Sequence, residues 1–142
     1  MPLPTQSDFG DISELDIGYA WKMFGGKTAD EAYDLFRENA FSRQEDLMWM
    51  GAHAFIYYFP AAAKYLMSSD ASGDSDGVSS IASLLDYRLE HDLDSIRPVS
   101  EVVITLCDYV VKNLPMYEAN EEIYGNLKAR YEEIKNRTKR SR

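Results

Sequence analysis

A chain of 142 residues with 45% hydrophobic and 27% charged residues has the size and composition of one soluble globular domain, which can bury a core without a metal ion or a disulfide bond. Its longest weakly charged stretch, Leu47 to Met67, is interrupted by Gly51 and Pro60, so no membrane-spanning segment is predicted. The N-terminus has neither the basic nor the apolar part of a secretory signal. We therefore expect a cytoplasmic protein that forms a single helical domain over residues 1–142.

The net charge of −9 is unevenly distributed along the chain. Residues 128–142 contain seven Lys or Arg and two Glu, which leaves −14 on the other 127 residues. An acidic body repels nucleic-acid phosphates, because nucleic-acid binding depends on cations that displace condensed counterions. We therefore expect no nucleic-acid partner. The basic C-terminal tail, about residues 135–142, is interpreted as a solvated helix end whose cations face the negative end of the helix dipole.

The first elements in chain order are predicted to be helices. Apolar residues at spacings of three or four predict a helix over about residues 12–24. Thr28 and Glu31 have the spacing of a capping box, which predicts the start of a second helix over about residues 29–39.

The next stretch has two signals for helix starts. Ser42 and Glu45 have the spacing of another capping box and predict a helix through about Met50. Proline suits the first turn of a helix and disfavours helical geometry at the residue before it. We therefore expect a new helix from Pro60 to about Met67.

A polar segment rich in Ser, Asp and Gly follows, and residues 68–77 are predicted to be a flexible acidic loop. Its alternating aspartates superficially resemble a calcium-binding loop. If Gly77 takes the tight-turn position of such a loop, however, the twelfth position falls on Ser83 instead of a bidentate glutamate. We therefore expect no metal ion here, and the sequence contains no cofactor-binding motif.

Three further helices are predicted after this loop. A leucine-rich pattern predicts one from Val78 to about Leu93, and a single apolar stripe predicts another over about residues 118–137. Between them, apolar residues cover most of the helical wheel over about residues 98–114, including the sole cysteine, Cys107, which we expect to be buried. The predicted fold class is all-α, a single-domain bundle of five to six helices around this central hydrophobic helix.

Candidate functional residues are few. The chain has two histidines, and His91 lies in an acidic, solvated context, which leaves His53 within the aromatic segment. No spacing typical of a metal site or of a catalytic nucleophile is present, so no catalytic residues and no metal ligands are predicted. If the protein has a small-ligand pocket, we expect it around His53 with Trp49, Tyr57 and Tyr58.

One segment resembles a known family. Phe55-Ile-Tyr-Tyr-Phe-Pro-Ala-Ala-Ala-Lys-Tyr-Leu66 is similar to the aromatic-Pro-Ala block, roughly Phe-Tyr-Leu-Pro-Ala, of a family of small uncharacterised bacterial proteins, some of them immunity-like proteins beside toxin genes. The resemblance covers about 20 residues and extends in part into the acidic, leucine-rich helix that follows; Phe59 stands where leucine is usual. That family has no assigned chemistry, so the resemblance implies no catalytic residue.

These observations leave three hypotheses for function. The first is a non-catalytic protein-binding module, such as an immunity-type inhibitor, whose acidic body complements a basic protein partner. The second is an enzyme or small-ligand-binding protein with a pocket at His53 and the aromatic block of residues 47–67. The third is a structural homodimer formed through exposed aromatic side chains.

Overall fold

A computed structural model describes the whole chain, Met1–Arg142, and consists of helices without any β-strand. This confirms the predicted all-α class, and six of the helices have ten residues or more. In chain order the helices are α1 (Gln6–Phe9), α2 (Leu15–Phe24), α3 (Ala29–Trp49), α4 (Ala52–Leu66), α5 (Ser75–His91), α6 (Leu93–Ile96), α7 (Ser100–Lys112), α8 (Glu121–Tyr124) and α9 (Leu127–Ser141). Three short 3-10 helices lie at Ser69–Ala71, Arg97–Val99 and Leu114–Tyr117.

The helices enclose one continuous apolar core of 34 buried residues. Helix α7 lies within the segment predicted as the central helix and contributes six buried residues, among them Leu106 and Cys107. Helix α4 contributes nine, including the stacked rings of Phe55 and Phe59, whose centroids are 5.3 Å apart. The aromatic segment is therefore a main part of the core.

Helix α4 does not begin at Pro60, as the sequence predicts. It runs from Ala52 through Pro60 without a break, although proline lacks the N–H that would bond the carbonyl of Ile56. Helix α1 packs against the start of α4, where the Gly51 N–H donates to the Phe9 carbonyl at 2.9 Å. Burial of apolar side chains on both sides of the proline offsets the lost hydrogen bond. Intrinsic helix propensities do not include this contribution from tertiary packing.

The sequence predicts that one helix ends near residue 39 and another begins after it. The structure has a kink there, within the single helix α3. The capping box of Thr28 and Glu31 is confirmed, with the Glu31 N–H donating to Thr28 Oγ1 at 3.2 Å. The predicted cap at Ser42 is wrong, because Asn39 takes a non-helical backbone conformation (φ −163°, ψ 81°) and its Oδ1 accepts the Ser42 N–H at 3.1 Å. Asn39 therefore caps the second half of α3.

The predicted loop of residues 68–77 is largely ordered by hydrogen bonds. It contains the 3-10 helix Ser69–Ala71, and α5 starts at Ser75, three residues before the predicted start. Asp74 caps α5, since its Oδ1 accepts the Gly77 N–H at 2.9 Å and its Oδ2 accepts the Tyr65 hydroxyl at 2.6 Å.

Some basic residues of α9 pair with acids in the body of the protein, whereas the sequence predicts a solvated tail over about residues 135–142. Arg130 and Arg137 both pair with Asp86 at 3.1 Å, and Lys135 Nζ lies 2.5 Å from Asp108. Helix α9 also packs along α7. Arg130, Lys135 and Arg137 therefore neutralise acids of α5 and α7, while Lys139 and Arg140 remain exposed, as the sequence predicts.

No helix combines the length and the apolar composition that a membrane crossing requires.

Candidate functional site

The four residues predicted to line a small-ligand pocket do not surround one cavity. His53 is exposed in the first turn of α4, and Tyr57 is half-buried beside Tyr58. None of these three lines any of the four cavities in the protein surface. Trp49 does line a cavity, which is a groove between α2 and α3.

Tyr58 has a structural role. Its side chain is fully buried, and its hydroxyl lies 2.8 Å from the carbonyl oxygens of both Phe24 and Lys27, which tie the α2–α3 connection to α4. Burial raises the pKa of Tyr58 to about 12, so its hydroxyl remains a donor at neutral pH.

A more polar depression of about 360 Å³ lies where the kink of α3 faces the start of α5, and we call it the acidic depression. Four carboxylates line it, those of Glu38, Asp70, Asp74 and Asp76. A fifth, Glu118, lies at its edge, because a Cβ atom on Gly73 would be only 2.8 Å from Glu118 Oε2. The folded chain thus brings together acids from three separate segments.

Tyrosine hydroxyls hold three of these carboxylates. The hydroxyl-to-carboxylate distances are Tyr33–Asp70 2.5 Å, Tyr65–Asp74 2.6 Å and Tyr124–Asp76 2.6 Å. The hydrogen bond to Asp70 raises the pKa of Tyr33, and burial followed by the bond to Asp74 raises the pKa of Tyr65. The Tyr33 and Tyr65 hydroxyls therefore stay protonated at neutral pH, and the three hydrogen bonds together hold the carboxylates in place.

The rim of the acidic depression combines charge with an apolar group. Phe41, just beyond the kink, is 57% exposed. Arg37 is the only cationic residue in the lining and pairs with Asp34 at 3.2 Å. No His or Cys lines the depression, and no group of three or more His, Cys, Asp or Glu side chains in the protein is arranged as metal ligands would be. The arrangement is suited to hold a cationic group beside an apolar one.

The alternating aspartates of this site are visible in the sequence, but their partners are not. Tyr33 lies 37 residues from Asp70, and Tyr124 lies 48 residues from Asp76. Only tertiary packing creates these pairs, because it brings α3 to the 3-10 helix Ser69–Ala71 and α8 to the start of α5. The polarity of residues 68–77, which predicts a loop, is the one sequence signal that marks the site.

In three comparisons, no protein-family model, no curated protein and no solved structure matched this chain.

Proposed function

We propose that this protein is a non-catalytic binding module for a basic protein, of the immunity-type inhibitor class. The observation that carries the proposal is the acidic depression, in which carboxylates from three segments meet next to an exposed phenylalanine and three of them, all in residues 70–76, are held by tyrosine hydroxyls. Lysine or arginine side chains of a partner would pair with the carboxylates, and an apolar side chain would pack on Phe41.

The charge of the rest of the surface supports a basic partner. All eight arginines lie within 4.0 Å of a carboxylate, whereas only eight of the 24 acidic residues have a cation that close. Sixteen carboxylates and six of the seven lysines form no ion pair, so the unpaired acids clearly outnumber the unpaired cations. A surface with this imbalance attracts a basic protein over a long range and speeds its association.

Residues 55–66 resemble a family that includes immunity-like proteins. This resemblance supports the proposal that binding inhibits the basic partner. An inhibitor of this kind needs an exposed complementary surface and no reactive group. The acidic depression provides such a surface, because Glu38, Asp70 and Asp76 are exposed.

The test is to capture partners from a bacterial lysate and compare two triple variants of equal charge. Glu38→Gln, Asp70→Asn and Asp76→Asn neutralise the acidic depression while leaving oxygen acceptors for the tyrosines. Glu90→Gln, Glu122→Gln and Glu132→Gln neutralise three exposed carboxylates that form no ion pair. Both variants have a net charge three units less negative than the natural protein.

We expect a basic protein to be captured by the natural protein and by the control triple, but not by the depression triple. We also expect the natural protein and the control triple, but not the depression triple, to inhibit the activity of the captured protein. Equal capture by both triples would show that net charge alone attracts the partner. An acidic captured protein, or none, would overturn the proposal.

A further inference from the structure

The groove between α2 and α3, here called the Arg43 groove, contains a buried ion pair. It has a volume of about 370 Å³ and shares no lining residue with the acidic depression. Arg43 and Asp46 lie at its base and are only 8% and 4% exposed. Arg43 Nε and Asp46 Oδ2 are 3.2 Å apart.

This pair is incompletely satisfied within the protein. Arg43 Nε and Asp46 Oδ2 are buried and have no hydrogen bond of acceptable geometry. The other deeply buried arginine, Arg88, also has an Nε without a hydrogen-bond partner. Its terminal nitrogens, however, donate to the Leu47 carbonyl at 2.7 Å, to the Met50 carbonyl and to the Asp92 carboxylate. Arg88 therefore joins α5 to the end of α3, whereas Arg43 makes no comparable structural bond.

Apolar side chains surround the mouth of the groove. Seven large hydrophobic residues of the chain are exposed, and three of them, Leu15, Tyr19 and Trp49, line this groove. Leu15 is 87% exposed. The Arg43 guanidinium carbon lies 5.6 Å from the centre of the Tyr19 ring, a cation–π contact that holds the arginine at the groove. Exposed aromatic and aliphatic groups around buried charges are typical of a ligand site.

The charges of the lining define the ligand. The acids Asp16, Glu45 and Asp46 outnumber the one cation, Arg43, so the groove favours a positively charged group. The guanidinium also requires a hydrogen-bond acceptor next to that positive group. A free α-amino group followed by a carbonyl or carboxylate oxygen has both features, and an apolar side chain on the same carbon would lie against the aromatic rim.

We propose that the Arg43 groove binds a free α-amino group with its adjacent carbonyl or carboxylate oxygen and an apolar side chain. This chemistry occurs in a free α-amino acid and in the first residue of a peptide. The ammonium group contacts Asp46, and the oxygen accepts hydrogen bonds from Arg43. The side chain packs on Trp49 and Tyr19.

Calorimetric titration with four small probes tests each part of this assignment. The probes are L-phenylalaninamide, L-phenylalanine, N-acetyl-L-phenylalaninamide and phenethylamine. We expect the first two to bind and the last two to bind at least tenfold more weakly, since one lacks the free amine and the other lacks the oxygen. Tighter binding of the amide identifies a peptide N-terminus as the source, and tighter binding of phenylalanine identifies a free amino acid.

Variants locate the binding in the groove. We expect Asp46→Asn and Arg43→Gln each to reduce the affinity at least tenfold. The matched controls are Asp94→Asn and Arg97→Gln, which change an exposed pair with the same three-residue spacing, 2.8 Å apart. Because the buried variants could unfold, the exposed change Trp49→Ala is included, and it should weaken binding with unchanged far-ultraviolet circular dichroism.

Three outcomes would overturn the proposal: no binding of any probe at millimolar concentration, equal binding of the acetylated probe, or affinities that do not differ between groove and control variants. Equal binding of phenethylamine and phenylalaninamide would show that Arg43 does not bind the oxygen of the ligand, and would overturn that part of the proposal.

Discussion

Asp46 is nearly inaccessible to water, and its ionisation state depends on folding. Burial, only partly opposed by Arg43, raises the pKa of its carboxyl to about 6. The folded protein therefore holds this proton more tightly than the unfolded chain does. Between about pH 4 and pH 6, the contribution of Asp46 to stability is lost as the pH rises.

The variant Asp46→Asn tests this ionisation. A pKa rise of about two units corresponds to about 3 kcal/mol. The natural protein loses this contribution as the pH rises, whereas the amide of the variant does not titrate. Relative to the natural protein, the variant should therefore gain about 2 to 3 kcal/mol in free energy of unfolding between pH 4 and pH 7. Urea denaturation at several pH values measures both, and the subtraction removes the titration of the other acids. A difference that does not change with pH would contradict the shifted pKa.

Cys107 is the second residue whose environment gives a direct prediction. Its side chain is fully buried, as the sequence predicts, and burial followed by the nearby Asp108 raises the pKa of its thiol to about 12. Because the thiolate is the reactive form, we expect labelling by a thiol reagent in native buffer to be far slower than in denaturant. Similar rates in the two conditions would contradict the packing of α7.

At the scale of the elements, the buried face of α7 contributes to the stability of the protein. Leu106 is fully buried and the adjacent Thr105 is exposed on the same helix. We expect Leu106→Ala to lower the free energy of unfolding by about 2 to 5 kcal/mol, because it removes apolar contacts and leaves a cavity. Thr105→Ala is the matched control, and chemical denaturation should show a change within about 0.5 kcal/mol for it. Equal effects would mean that this face of α7 is not buried.

The start of α5 depends on one aspartate. Since Asp74 accepts hydrogen bonds from both the Gly77 N–H and the Tyr65 hydroxyl, we expect Asp74→Ala to destabilise the protein by about 1 to 2 kcal/mol. Ser72→Ala, in the same segment and without a side-chain hydrogen bond, should have little effect in the same denaturation experiment. If Asp74→Ala were as stable as the control, the segment would be the solvated loop that its composition predicts.

The element boundaries show what local sequence rules can predict. The Thr28 capping box and the break near Asn39 are encoded within a few residues, and both are found in the structure. The passage of α4 through Pro60 depends on burial against other helices, which local patterns do not contain. The early start of α5 does have a local signal, because Asp74 accepts the Gly77 N–H, but the polarity of residues 68–77 predicts a loop there.

The candidate sites likewise combine residues that the sequence marks with residues that only tertiary packing identifies. The sequence marks the acidic residues of positions 68–77 and includes Trp49 among the pocket residues. It does not indicate the tyrosines that hold the aspartates, or Arg43 and Asp46, which have the three-residue spacing of an ordinary exposed helix pair. Only tertiary packing reveals that this pair is buried.

At the scale of the whole molecule, the excess of free carboxylates makes association depend on salt. The Debye length shrinks from about 30 Å at 0.01 M to about 8 Å at 0.15 M ionic strength. We expect the association rate constant with a basic partner to fall by about tenfold or more over this range, and the dissociation rate to change less. Stopped-flow measurements give both rates. An association rate that is independent of salt would contradict electrostatic attraction.

Helix α9 covers apolar side chains of helices that are synthesised before it. The Tyr131 hydroxyl donates to the Val78 carbonyl at 2.6 Å, 53 residues earlier in the chain, and α9 packs along α7. Because α9 is translated after every other helix described here, a nascent chain halted before residue 127 leaves apolar side chains of α5 and α7 without their cover. Exposed apolar side chains of this kind are what chaperones and proteases recognise, so we expect a chain truncated before residue 127 to be digested by a protease faster than the chain that includes α9.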